Sequence, residues 1–245
     1  MSDQTTTSNF PQSWQVLSGS ILKLTAIIVM FIDHFALVIL SRYPAANTAL
    51  FSIGNYPYSL YRICRDIGRA AFPIFCFLLV EGFFHTRNRF RYARNLFLFA
   101  CISEIPWNFM HTNTWTYSRQ NVFFTLFLGV LAFWALESFH ENQGMQLVCV
   151  LAVLAISLQL SADYGWKGYV FLLILYWLRK NRIAQAVLGS SWLYYEWKAS
   201  FAFIFINLYN GKRGFIKGKF AKYFFYAFYP LHIVFLVILR NYLFS

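Results

Sequence analysis

The sequence predicts an all-α, polytopic transmembrane helical bundle of about nine (8–10) membrane helices with a cytoplasmic N-terminus. Three observations predict it. The 245 residues are 59% hydrophobic and 22% aromatic with only 12% charged, whereas soluble domains are about a quarter charged. The apolar residues fall into runs of membrane-crossing length. The basic residues gather in short loops that all land on one face when those runs are threaded alternately, as the positive-inside rule requires. That rule also accounts for the net charge of +12, so nucleic acid is not an expected partner and membrane lipid is.

In chain order, residues 1–19 read as a polar N-terminal tail and 20–245 as a single transmembrane domain. The tail lacks a basic n-region and a small-residue cleavage site, so the first run reads as a retained helix. Apolar runs cover 20–40, 67–84, 93–109, 122–139, 145–160, 168–178, 183–195, 199–208 and 223–242. Between them lie the basic loops "TRNRFRYAR", "RKNR" and "NGKRGFIKGKFAK". Removing one of the short runs between them (183–195, 199–208) would put the last two basic loops on opposite faces. No internal repeat marks the halves of a transporter, although Pro73, Pro106 and Pro230 interrupt apolar runs.

Several chemistries are excluded. The four cysteines have no paired zinc or redox spacing, and the histidines at 34, 85, 111, 140 and 232 form no ligand pattern, so no metal is expected. There is no P-loop and no Gly-x-Ser-x-Gly elbow. What remains is general-base chemistry by groups that a bilayer makes expensive.

The run "LTAIIVMFIDHFALVIL" carries Asp33 and His34 as its only ionisable residues. Counted at 1.5 Å per residue from Ser20, they lie about 20 Å along the helix, in the outer third of the core. Arg65, Asp66 and Arg69 in "CRDIGRAAFP", Glu104 in "ISEIPWN" and Asp163 in "ADYGWKG" reach a comparable depth or the outer mouth. Neighbours on a helix point about 100° apart, so Asp33 and His34 need separate partners. Asp33 is expected to pair with Arg69 or Arg65. His34 is expected to face the cavity as general base. Arg87, Arg89 and Arg94, or Lys212 and Arg213 in "YNGKRG", are the candidate anion sites.

The stretches "LKLTAIIVMFIDH", "IGRAAFPIFCFLLVEGF", "TRNRFRYARNLFLFACISEIPWN", "NVFFTLFLG", "ADYGWKG", "LYNGKRG" and "FFYAFYPLH" run in order over nearly the whole chain. In them the sequence resembles the TraX family, membrane proteins that acetylate pilin in F-type conjugation systems, with relatives among fimbrial assembly proteins. The resemblance implies a multi-pass acyltransferase of the bacterial inner membrane that uses acetyl-CoA, with a pilin amine or an envelope glycan as acceptor. On it the candidate catalytic set is His34, Asp33, Arg69 and Glu104. The coenzyme set is Arg87, Arg89, Arg94, Lys212 and Arg213, and the acceptor set is Asp163, Tyr164, His232 and Tyr229. The alternative is a non-enzymatic membrane factor for pilus or envelope assembly, or for proton-coupled export.

Overall fold

The computed structural model describes residues 11–244; the first ten residues of the polar tail and Ser245 lie outside the described residues. After a 3-10 turn, Gln12–Trp14, come α1 (Gly19–Val38), a 3-10 turn Leu40–Arg42, α2 (Pro44–Asn47), β1 (Ala49–Ile53), β2 (Tyr56–Ser59), α3 (Leu60–Gly68) and α4 (Ala71–His85). Then follow α5 (Arg89–Thr112), α6 (Val122–Ser138), α7 (Gln143–Leu160), α8 (Gly165–Trp177) and α9 (Arg182–Trp192). A 3-10 segment Tyr194–Phe201, α10 (Ala202–Asn207) and α11 (Lys219–Leu243) complete the chain. About three-quarters of it is helical.

The helix starts follow from local chemistry. The side chains of Ser18, Ser59, Asn88, Asn121 and Asn142 accept backbone N–H groups at the heads of α1, α3, α5, α6 and α7, satisfying donors that a helix leaves unpaired. Pro73 and Pro44 sit in first turns, where a missing N–H does no harm. Pro230 lies inside α11 and removes the donor for the carbonyl of Tyr226.

Nine full spans are not what the structure shows. Among the described residues four stretches are long and apolar enough to cross a membrane: Gly19–Arg42, Leu60–His85, Gln143–Leu160 and Tyr223–Leu243. The apolar α6 has 17 residues. α5 has the length, 24 residues, but it carries Arg89, Arg91, Arg94 and Glu104. At 1.5 Å per residue α8 and α9 are only about 20 Å and 17 Å long, short of a core of about 30 Å. The second expected run starts earlier, at Leu60, and breaks at Arg69 and Ala70 between α3 and α4. Residues 49–59, absent from the expected elements, form an antiparallel hairpin turning at Gly54, whose φ of 59° suits glycine.

The contacts divide the described residues into two compact units, 11–75 with 190–244, and Cys76–Gly189. In the first, α1 packs against α3 and α11. Its buried stripe Leu22, Ala26, Met30 and His34 recurs every fourth residue, one face of a helix. In the second, α6 packs against α5, α7 and α8. There the stacked rings of Phe133 and Tyr176, 4.8 Å apart, meet Phe83, and Gly129 gives Leu172 of α8 room to approach. Only a tenth of α7's apolar window is buried, as fits a helix whose sides face acyl chains.

Candidate functional site

The first unit is organised around the two adjacent polar residues of α1, which point to different neighbours. Asp33 faces α3. Its Oδ2 accepts from Arg65 Nη1 at 2.6 Å, so of the two arginines expected as partners it is Arg65 that bonds. Gly68 makes the approach possible, because a Cβ there would overlap Asp33's side chain. Arg69, one turn on, donates from Nη1 to Glu196 Oε1 at 2.8 Å, and Lys198 pairs with Asp66. Three ion pairs thus tie α1, α3 and the 3-10 segment together. Glu196 and Lys198 were not anticipated from sequence. Their signal was an acid and a base two apart in the aromatic run "WLYYEWKASF", and Glu196 adopts non-helical φ and ψ where the segment kinks.

His34 faces α11. Its Nδ1 lies 2.7 Å from Nε2 of His232, and the two rings are parallel within 2° at 5.0 Å. Nδ1 of His232 lies 2.7 Å from the carbonyl oxygen of Phe228. Both histidines are buried, 8% and 5% exposed, among Phe31, Phe228 and Tyr229. The ring of Tyr229 stands edge-on to both, 6.0 Å from His34 and 5.8 Å from His232. A pair so held can hand a proton between its nitrogens in dry surroundings. A cavity of about 540 Å³ in the same unit is lined by Trp14, Trp197, Phe201 and Ile204 among others, but by neither histidine.

At the opposite end of α1 the loop that carries Lys212 and Arg213 is bonded onto the helix start. Gly19 N–H donates to the Lys212 carbonyl at 2.8 Å, Ser20 Oγ to the Arg213 carbonyl at 2.8 Å, and Ile216 N–H to Ser20 Oγ at 2.8 Å. Gly214, at φ 86°, leaves no space for a Cβ against Ser18 and Ser20. The loop's main chain is therefore spent on α1 while the side chains of Lys212 and Arg213 stay exposed. Arg213 and Lys23 also lie close enough to repel each other electrostatically.

The remaining candidates belong to the second unit. Glu104 Oε2 accepts from Asn121 Nδ2 at 2.7 Å and from its backbone N–H at 3.3 Å. Asn121 also donates to the Ala100 carbonyl at 2.8 Å and caps α6, so Glu104 braces the entrance of α6. Asp163 is set there by its main chain: N–H to the Gln120 carbonyl at 2.8 Å, and carbonyl accepting from Thr125 Oγ1. Tyr164 follows at φ 62°, a left-handed conformation uncommon for a non-glycine residue. Arg89 bonds Glu137 at 3.3 Å, which also accepts from Tyr176 at 2.7 Å. Arg87 is on the loop before α5 and Arg94 on α5 itself. Glu81 is gripped at both oxygens by Arg179, at 2.7 and 3.3 Å.

The family model described as TraX protein matches residues 18–240. The probable fimbrial assembly protein FimC, serogroup H1, of Dichelobacter nodosus is 29% identical over 244 residues, covering 88% of this chain and 92% of the relative. No solved structure matches. The chain belongs to the TraX family.

Proposed function

We propose that the protein is an integral acetyltransferase of the bacterial inner membrane, moving an acetyl group from cytoplasmic acetyl-CoA to an amine such as a pilin N-terminus, or to a hydroxyl of an envelope glycan. The observation that carries the reading is His34: a buried imidazole on a helix of membrane-crossing length, bonded to a second buried histidine. A bilayer makes ionisable groups costly, and an imidazole is suited to take and return a proton near neutrality. Membership of the TraX family supports the same reading.

The reaction is direct transfer. His34 accepts the proton of the acceptor amine or hydroxyl as that atom attacks the thioester carbonyl carbon. The carbon–sulfur bond then breaks, and the coenzyme thiol leaves with the proton from His34. Tyr229, beside both histidines, is the donor assigned to the developing oxyanion. Asp33 and Arg69 hold α1, α3 and the 3-10 segment in register. Within the second unit, Glu104 braces the start of α6 through Asn121.

Lys212 and Arg213 receive the coenzyme phosphates in this reading. What supports them is their exposure, the repulsion between Arg213 and Lys23, and their place at the foot of the helix that carries His34. Ser20 and His34 are fourteen residues apart, about 21 Å along α1, a gap suited to an extended pantetheine arm. Arg87, Arg89 and Arg94 then serve as cytoplasmic topology signal. The chain crosses the membrane several times with its N-terminus inside, the four stretches of crossing length among them. Detergent-purified protein given labelled acetyl-CoA with a peptide amine or a sugar acceptor should transfer the label, and His34→Ala should abolish transfer.

A second reading is favoured by the printed name of the relative, a fimbrial assembly protein: a membrane assembly factor without turnover. It requires that the same assay release neither acetylated acceptor nor free coenzyme.

A further inference from the structure

We infer that His232 is a positioning residue that fixes the tautomer of His34 and so sets which nitrogen of His34 can act as the base. The inference rests on the acetyl-transfer reading for its use, but its geometry stands apart from it.

The two histidines and the Phe228 carbonyl form a chain of donors and acceptors. The carbonyl of Phe228 can only accept, so the 2.7 Å contact from Nδ1 of His232 requires a proton on that nitrogen. A neutral imidazole carries one N–H, which leaves Nε2 of His232 an acceptor. The 2.7 Å contact between that Nε2 and Nδ1 of His34 then requires the proton to sit on Nδ1 of His34. The lone pair of His34 is consequently at Nε2. The backbone of α11 at Phe228 thereby selects, through two rings, the basic nitrogen of a residue on α1.

The same chain explains what happens once His34 has taken a proton. Its Nδ1–H then points at a neutral acceptor whose own far nitrogen is anchored to a carbonyl, so the imidazolium is stabilised without a buried carboxylate. This is the orienting role that a third group plays for a histidine base elsewhere. Asp33 cannot fill it, because it is bonded to Arg65 on the other side of α1. Stacking against Phe228 at 4.9 Å and 16° keeps the His232 ring in the plane the chain needs. Sequence spacing could not reveal the pair, whose members are 198 residues apart.

Two variants and one spectroscopic readout test this. His232→Phe keeps a ring in the aromatic cluster but offers no acceptor. His232→Gln offers a side-chain carbonyl near the place of Nε2. Nitrogen-15 NMR of ring-labelled histidine, assigned through His34→Ala, should show His34 protonated at Nδ1 in the wild-type protein, and protonated mainly at Nε2 in His232→Phe. Thermal melting should show that His232→Phe is folded. With acetyl transfer as the second readout, kcat should fall about 10- to 100-fold in His232→Phe, with KM for acetyl-CoA unchanged, and His232→Gln should recover most of the loss. A wild-type His34 protonated at Nε2, or a His232→Phe protein with wild-type kcat, overturns the proposal. Absence of transfer by the wild-type protein would sink the acetyltransferase reading alone, since the tautomer measurement still decides this one.

Discussion

Breaking the Asp33–Arg65 pair should be among the most destabilising single changes in the protein, and removing both charges should restore much of the loss. The pair is bonded at 2.6 Å with side chains 17% and 20% exposed. Its partners are therefore largely desolvated. Two unit charges about 4 Å apart attract by on the order of 4 kcal/mol at an effective dielectric of 20, and the cost of burying them offsets part of that. Arg65→Ala leaves a carboxylate whose Oδ1 already accepts no hydrogen bond, so Oδ2 loses its donor as well. A loss of about 3–5 kcal/mol follows for such an orphaned charge. Asp33→Asn keeps an oxygen for Arg65 and should cost less, about 1.5–3 kcal/mol, the range for a hydrogen bond to a charged group. The double variant Asp33→Asn with Arg65→Gln removes both charges and retains an amide pair. Reversible unfolding in mixed micelles, followed by far-ultraviolet circular dichroism, gives all four free energies. A coupling of about 1–3 kcal/mol is expected for groups in direct contact. Strict additivity, with the double variant as unstable as the sum of the singles, would refute the claim that the pair rather than either side chain holds α1 to α3.

Gly68→Ala should destabilise the same contact, because its Cβ would collide with the Cβ and Cγ of Asp33 rather than with a yielding side-chain tip; a loss of about 1–3 kcal/mol is expected for overpacking, read by the same unfolding assay. Asn121→Ala should cost about 1–2 kcal/mol as a lost helix cap, and Glu104→Gln, which keeps an acceptor for Asn121, should be milder. Limited proteolysis in the 113–121 loop would report the loosening. Joint replacement of Lys212 and Arg213 by alanine should raise KM for acetyl-CoA and leave kcat intact, and the rise should shrink at high salt because exposed charges are screened.

The sequence reading and the structure part company where depth and distance enter. Hydropathy sees how long an apolar run is, so α1, α7 and α11 were legible, and so was the need of Asp33 for an arginine. The runs at 168–178 and 183–195 were already short in the sequence, and α8 and α9 stop at 13 and 11 residues. The hairpin was hidden because β1 and β2, with Leu50, Phe51, Ile53 and Tyr56 exposed, have no buried alternation to betray them. Its only local sign was "GN" between short aromatic and aliphatic runs. Arg69 could be recognised as a charge needing a partner, yet that partner lies 127 residues on, at Glu196. His34 was legible as an oddity and His232 as a buried histidine behind a proline. Their bond was not, because nothing in two separate apolar runs encodes which faces meet.

Proton transfer by His34 during acetyl transfer is open to direct measurement. Wild-type and His34→Ala proteins, purified in the same detergent and matched for thermal melting, are given radiolabelled acetyl-CoA with an amine-terminated peptide. Labelled peptide is expected from the wild-type protein and none above background from His34→Ala. Equal transfer by the two proteins, or no transfer and no thioester cleavage by wild type with any amine or sugar acceptor, would contradict it.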